Sequence, residues 1–138
     1  MSYLLDTTVF SELMQPQPNA GLLALLHESA DADLFTSVLV LGEIQFGLRR
    51  LPAGARKRRL TAQFEALRAA RFSRIIPVDE AVISVWAQVT ADALSGGITI
   101  PVIDGLIAAT ALAHGHIVVT RNIEDFRASG ASIRNPWS

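Results

Sequence analysis

Residues 3–10 read Tyr-Leu-Leu-Asp-Thr-Thr-Val-Phe, a short apolar run that meets an acidic residue and then two hydroxyl side chains. Residues 2–5 predict a buried strand, and residues 7–14 predict a short helix that stops before the first prolines. An ionised carboxylate among apolar neighbours costs on the order of several kcal/mol unless hydrogen bonds, a cation or a metal compensates it. Asp6 is therefore the first candidate for a functional site.

Three more acidic residues lie in comparable apolar surroundings. Glu43 lies in Val-Leu-Val-Leu-Gly-Glu-Ile, Asp104 in Ile-Pro-Val-Ile-Asp-Gly-Leu, and Asp125 follows Thr-Arg-Asn-Ile-Glu. Taken singly, Asp6 or Asp104 is explained as a helix cap, and Glu43 or Asp125 as an exposed polar residue. Four such groups from distant parts of one small chain instead indicate a shared cation.

The composition sets broad limits on the class of protein. The chain has 138 residues, of which 50% are hydrophobic and 18% are charged, with a net charge of −1. These values predict a single domain over residues 1–138, and any contact with nucleic acid must come from a local basic patch. The absence of cysteine excludes disulfides and thiolate zinc sites. We expect a cytoplasmic protein with no signal peptide and no membrane span, because polar residues and a proline interrupt the apolar stretch 98–120.

Strand and helix signals alternate along the chain. Further strands are predicted at 34–36, 72–78 and 116–119, with an edge strand at 131–133, and helices at 20–27, 38–46, 56–70, 80–95, 101–114 and 122–126. The segment 38–46 is apolar nearly all round, which predicts a helix buried on most of its circumference. Strands separated by helices, without hairpin turns, imply a three-layer α/β/α fold around a mostly parallel sheet of four or five strands.

In parallel sheets the ligand site lies off the carboxyl ends of the strands. Asp6 follows the first strand directly, and residues 120–125 follow the fourth. Glu43 lies in the second turn of the helix after the second strand, and Asp104 near the start of the helix that precedes the fourth. All four acidic residues are therefore expected at one edge of the sheet.

Four blocks of residues carry a family resemblance. They are Leu-Leu-Asp-Thr-Thr-Val at residues 4–9, Ser37 with Glu43 and Gly47, Asp104 with Ala108, Ala109 and Thr110, and Thr120-Arg121-Asn122 with Asp125-Phe126. With them, and with the ending Asn135-Pro136-Trp137, the chain resembles PIN-domain ribonucleases, in particular the VapC-like and FitB-like toxins of bacterial toxin–antitoxin modules. The resemblance implies strand order 3-2-1-4-5, a Mg²⁺ or Mn²⁺ site, cleavage of single-stranded RNA and an antitoxin partner.

The resemblance also implies roles for the site residues. We expect Asp6 and Asp104 to be the principal metal ligands, and Glu43 to bind through water or to act as general base. Asp125 completes the outer shell, together with three polar residues, Thr8, Thr120 and Asn122. The sequence departs from the family pattern twice: Thr8 stands where Asn is usual, and Asn122 stands where a fourth acid is common. Asp125 is expected to supply the missing charge.

Two surface features predict partners. A run of cations, Arg49, Arg50, Arg56, Lys57, Arg58 and Arg59, is either a phosphate-binding rim beside the site or only the solvated start of a helix. The apolar surplus of residues 38–46 and 82–93 predicts a homodimer. The family resemblance adds that the antitoxin sets an Arg or Lys among the carboxylates.

Two other classes of protein remain open alternatives. A phospho-Asp protein of the receiver or dehalogenase-like type shares an acid after the first strand, but usually needs a lysine near the phosphoryl group. The only lysine here is Lys57. The second alternative is a non-catalytic interaction module with a degenerate metal site, which the replacements at Thr8 and Asn122 allow.

Overall fold

A five-stranded parallel sheet forms the centre of the molecule. The computed structural model describes residues 1–71 and 74–138. The strands are β1 (Tyr3–Leu5), β2 (Leu34–Ser37), β3 (Ile75–Ile76), β4 (Ile117–Val119) and β5 (Ile133–Arg134). They pair in the order β3-β2-β1-β4-β5, and each of these pairings is parallel. The predicted fold class and strand order are confirmed.

Among the described residues, seven α-helices connect and flank the strands. They are α1 (Thr7–Leu13), α2 (Ala20–Glu28), α3 (Val38–Arg50), α4 (Ala55–Arg71), α5 (Glu80–Ser95), α6 (Val102–His114) and α7 (Ile123–Arg127), with a 3-10 turn at Asp31–Asp33. The predicted caps Asn19, Ser37 and Asp79 each accept a backbone N–H of the helix that follows. The third strand is shorter than predicted, and residues 72–73 of that prediction lie outside the described residues. None of the helices in the described part of the chain combines the length and apolarity that a bilayer crossing requires.

The core lies on both faces of β1, the middle strand. Leu4 and Leu5 are fully buried, as expected for a parallel strand that helices cover on both sides. The rings of Phe10 from α1 and Phe64 from α4 meet edge to face, with centroids 6.4 Å apart. Burial of each large apolar side chain contributes roughly 1.5–3 kcal/mol. The same packing that stabilises β1 also fixes the position of the residue that follows it, Asp6.

The prediction that residues 38–46 form a helix buried on most of its circumference is wrong. In α3 the buried side chains form one stripe, namely Val40, Leu41, Ile44 and Leu48. On the outer side, Val38 is 42% exposed and Phe46 62% exposed. The helix lies against the rest of the chain on one side only, and apolar composition all round cannot specify which side that is. The outer side therefore leaves these two apolar side chains exposed to solvent.

Candidate active site

Asp6 lies at the junction of β1 and α1, at the carboxyl edge of the sheet. Its backbone N–H donates to the carbonyl of Val119 at 3.2 Å, which fastens the end of β1 to the end of β4. Its side chain accepts the backbone N–H of Thr8 and caps α1. The side chain is only 4% exposed. The capping role considered from the sequence is therefore real, and the carboxylate is also buried at the edge where a ligand would bind.

Burial raises the pKa of Asp6 above its ordinary value, because desolvation disfavours the charged form. Hydrogen bonds from Thr120 and Thr8 oppose this rise in the pKa, and the charge of Glu43 adds to it. Thr8 and Thr120 were predicted to support the site, and the structure brings both to Asp6. A cation beside Asp6 would be stabilised by this carboxylate.

Glu43 is held in place by Thr7. The Oγ1 hydroxyl of Thr7 donates to Oε1 of Glu43 at 2.6 Å, joining the first turn of α1 to the second turn of α3. Glu43 is half-buried, so it does not lie on an exposed helical edge. The sequence prediction missed Thr7. Its only sequence signal is its place as the first of the two hydroxyl residues that follow Asp6.

Asp104 lies in the first turn of α6 and is half-buried. Pro101 occupies the N-cap position of α6, so Asp104 is not the cap that the sequence left as an alternative. Its pKa is raised from 3.8 to about 6, first by desolvation and then by the charges of Asp125, Glu43 and Asp6. The other three predicted acidic residues are therefore within electrostatic reach of Asp104.

These carboxylates do not form a closed metal cage. Within residues 1–71 and 74–138, no three acidic or histidine side chains converge closely enough to hold a metal ion together. Like charges repel, and Glu43 is turned toward Thr7 by its hydrogen bond. Mg²⁺ usually keeps several water ligands and needs only one or two carboxylates. Asp6, which is buried, and Asp104, which is half-buried, offer only carboxylate oxygens and together meet that requirement.

The segment after β4 is fastened to the same edge by hydroxyl groups. The Oγ1 of Thr120 accepts the backbone N–H of Asn122 at 3.0 Å, and the Oγ1 of Thr8 accepts the backbone N–H of Arg121 at 3.1 Å. Asn122 and Asp125 are both exposed, the latter in the first turn of α7. The exposure of Asp125 fits its predicted place outside the direct ligands.

The predicted basic rim divides into two kinds of residue. The Nζ of Lys57 donates to the carbonyls of Arg49 at 3.1 Å and Leu51 at 3.2 Å, so this ammonium closes the end of α3. The five arginines of the rim are exposed, and in the described part of the chain none of them forms an ion pair with a carboxylate. Lys57 thus has a structural role, whereas the guanidinium groups are open to solvent.

Comparison with known proteins identifies the class to which this fold and acidic edge belong. Residues 3–130 match the PIN domain model, and the chain belongs to the PIN domain family. It is 37% identical over 135 residues to the VapC ribonuclease Y4jK of Sinorhizobium fredii, covering 97% of this chain and 96% of that protein. It is likewise 37% identical to the toxin FitB of Neisseria gonorrhoeae, with 97% of both chains covered.

The fold comparison agrees with the sequence comparison. A solved structure of FitAB bound to an IR36 DNA fragment contains a chain that superposes with a TM-score of 0.88 and 36% identity, covering 99% of this chain and 96% of that one. The likeness extends over nearly the whole chain. The chain therefore belongs to the PIN domain family and not to the phospho-Asp class that the sequence left as an alternative.

Proposed function

We propose that the protein is the toxin of a toxin–antitoxin pair and hydrolyses RNA phosphodiester bonds with the help of Mg²⁺ or Mn²⁺. The observation that supports the proposal is the electrostatic environment of Asp104. Desolvation first, and then the charges of Asp125, Glu43 and Asp6, raise the pKa of Asp104 to about 6. A relative that is 37% identical over nearly the full length and is named a ribonuclease supports the reaction class.

The metal would be held by Asp6 and Asp104. When bound, it supplies a Lewis acid that lowers the pKa of a water ligand and stabilises the charge on the phosphoryl oxygens. Glu43, oriented by Thr7, accepts a proton from the attacking water or holds it in line. Thr8 and Thr120 orient Asp6 through hydrogen bonds. Asn122 and Asp125 complete the outer shell, and Asp125 adds the charge that Asn122 lacks.

Removal of divalent metal tests the reaction class. Protein treated with EDTA and then dialysed should leave a single-stranded RNA intact, and added Mn²⁺ or Mg²⁺ should restore cleavage, because the carboxylates alone provide no Lewis acid. Addition of Ca²⁺, which takes more ligands in a looser geometry, serves as a control. Full cleavage by the metal-free protein would reject the proposal in favour of a metal-independent nuclease. No cleavage with either metal would leave the non-catalytic module.

The proposed partners follow from the relatives and from the surface. The similarity to toxin FitB, and to the FitAB complex, supports an antitoxin that binds this chain. We infer that this partner sets an Arg or Lys side chain among the carboxylates, where a cation would take the place of the metal. Because both the RNA substrate and the antitoxin are intracellular, the proposed activity is cytoplasmic. The exposed arginines of the rim, Arg49, Arg50, Arg56, Arg58 and Arg59, would contact RNA phosphates.

We also propose a homodimer. Large apolar side chains are exposed on α3, on α5, in the connection between α5 and α6, and at the start of α6, namely Val38, Phe46, Ile83, Leu94, Ile98, Val102 and Ile103. On α5 the exposed pair is Ile83 and Leu94, which lie eleven residues apart and so share one face, whereas Val82 and Ala93 are buried. Surfaces of this kind mark sites of association.

Light scattering should therefore give the mass of two chains at tens of micromolar. Replacing Leu94 with Asp should shift the equilibrium toward the single chain, because a charge would have to be buried at the interface. Replacing Ser95, the adjacent exposed residue, with Asp is the matched control. A monomer in the parent protein at that concentration would reject the dimer.

A further inference from the structure

A polar groove of about 750 Å³ begins at the acidic edge and runs along α1 to the C-terminal Trp137. Thr8 and Asn122 line its near end, so the groove is continuous with the carboxylate site. Ser11 of α1 and Gln15, just beyond the end of that helix, also line it. The volume is in the range of about 300–1,000 Å³ that is usual for pockets holding small ligands. The groove therefore has room for a nucleotide-sized group beside the reacting centre.

The far wall of this groove is fixed by hydrogen bonds. The indole Nε1 of Trp137 donates to Oε1 of Glu12 at 3.3 Å. The other oxygen of Glu12 accepts the backbone N–H of Asn19 at 3.0 Å. Asn19 in turn holds Ser138 through its side-chain oxygen and nitrogen, each at 3.1 Å. The half-buried indole is thus pinned in place, and both oxygens of Glu12 have donors, which lessens its repulsion of an anionic ligand.

The chemical groups that line the groove suit single-stranded RNA. Gln15, Gln17 and Asn122 offer amide groups that can pair with base edges. Arg121 offers a guanidinium for a phosphate, and Trp137 offers an aromatic face. Sequence-tolerant binding of single strands combines these two elements, stacking on aromatic rings and cationic contact with the backbone. An apolar peptide side chain would meet only Pro16 and Trp137, so a protein segment is the poorer match.

We propose that this groove is a nucleotide subsite of the RNA substrate, in which the base flanking the scissile phosphate stacks on Trp137 while Arg121 contacts its phosphate. The proposal rests on the proposed ribonuclease function and deepens it, since it adds a binding determinant outside the metal site. Trp137 acts on substrate binding and takes no part in the hydrolysis itself.

Steady-state kinetics with a short single-stranded RNA in Mn²⁺ test the subsite. Trp137→Ala should raise KM by about five- to a hundredfold, the range expected for the loss of one stacked base. Trp137→Phe should stay within a few-fold of the parent, because a flat ring remains. Trp137→Leu distinguishes base stacking from packing, because Leu keeps the apolar volume but has no flat face. If Trp137 stacks on a base, the KM of the Leu variant should rise as it does in the Ala variant. If Leu behaves like Phe instead, Trp137 is a packing residue and the proposal fails.

A binding measurement gives a readout independent of turnover. The chain has two tryptophans, Trp86 and Trp137. In the Asp104→Asn, Trp86→Phe background, the fluorescence of Trp137 should be quenched by the RNA and much less by the same strand with abasic sites. Equal quenching by both strands would reject the proposal that a base stacks on Trp137.

Two further outcomes distinguish the nucleotide subsite from a protein-binding groove and from failure of the ribonuclease function. If Trp137→Ala weakens antitoxin binding but leaves KM for RNA unchanged, the groove holds a protein segment and the proposal is wrong. If the parent protein cleaves no RNA under any metal condition, the ribonuclease function itself has failed. Cleavage by the parent with an unchanged KM in all three variants would reject the subsite alone. Thermal unfolding of each variant checks that the fold is intact.

Discussion

Asp104→Asn is expected to lower metal-dependent RNA cleavage by at least about a hundredfold, which corresponds to the loss of several kcal/mol of transition-state stabilisation. Asn keeps the shape of the side chain and removes the charge that would hold the metal. Initial rates with a single-stranded RNA in Mn²⁺ measure the effect. Asp92→Asn, the same change at an exposed position of α5, is the matched control and should cleave at the parent rate.

The same variant should not lose stability. Because the folded-state pKa of Asp104 is raised to about 6, the ionised side chain opposes folding above that pH, and this penalty disappears as pH falls toward 4. Asp104→Asn removes the penalty, so the metal-free protein should melt at the same or a slightly higher temperature at pH 7, with the difference shrinking toward pH 4. Solvent screening of this half-buried group keeps the effect on the order of 1 kcal/mol or less. Full activity in the folded variant would contradict the metal-nuclease account.

Gly21→Ala is expected to destabilise the fold and release the C-terminal segment. A Cβ at Gly21 would lie 2.1 Å from the carbonyl oxygen of Pro136 and 3.0 Å from the backbone nitrogen of Ser138. These are backbone atoms, so one of the two segments must move. The change should cost about 1–3 kcal/mol and lower the melting temperature by about 3–10 °C. Helix propensity alone predicts the opposite sign, because Ala is favoured over Gly in a helix by about 1 kcal/mol.

A second glycine provides the control for this prediction. A Cβ at Gly47 in α3 would meet no atom within 4 Å, so Gly47→Ala should leave the melting temperature unchanged or raise it slightly. If the C-terminal segment also forms the wall of the RNA groove, Gly21→Ala should raise KM for RNA as Trp137→Ala does. A melting temperature for Gly21→Ala at or above that of the parent would show that the segment does not pack on α2.

Much of the fold was predictable because the signals are local. Apolar runs such as residues 3–5 next to a polar residue indicate buried strands, and cap residues such as Asn19, Ser37 and Asp79 fix where helices begin. The alternation of strands and helices then leaves few parallel topologies. The electrostatic reach of Asp104 to Asp6, Glu43 and Asp125 is consistent with the same reasoning, since the carboxyl ends of parallel strands share one edge.

The features that were missed depend on contacts between distant parts of the chain. No local pattern reports that Thr7 holds Glu43, that Lys57 closes the end of α3, or that Trp137 reaches Glu12. The exposed face of α3 was also missed, because a helix that is apolar all round carries no periodic signal for the side that packs. These contacts, and the exposed face of α3, can be inferred only when the arrangement of the helices and strands in space is known.

Calorimetric titration of Mn²⁺ into the parent protein and into Asp104→Asn tests most directly whether the carboxylates at the sheet edge share a metal. The account predicts saturable binding by the parent, and binding to the variant that is at least about tenfold weaker or undetectable. Equal affinity of the two folded proteins for Mn²⁺, or no binding by the parent at millimolar metal, would contradict it.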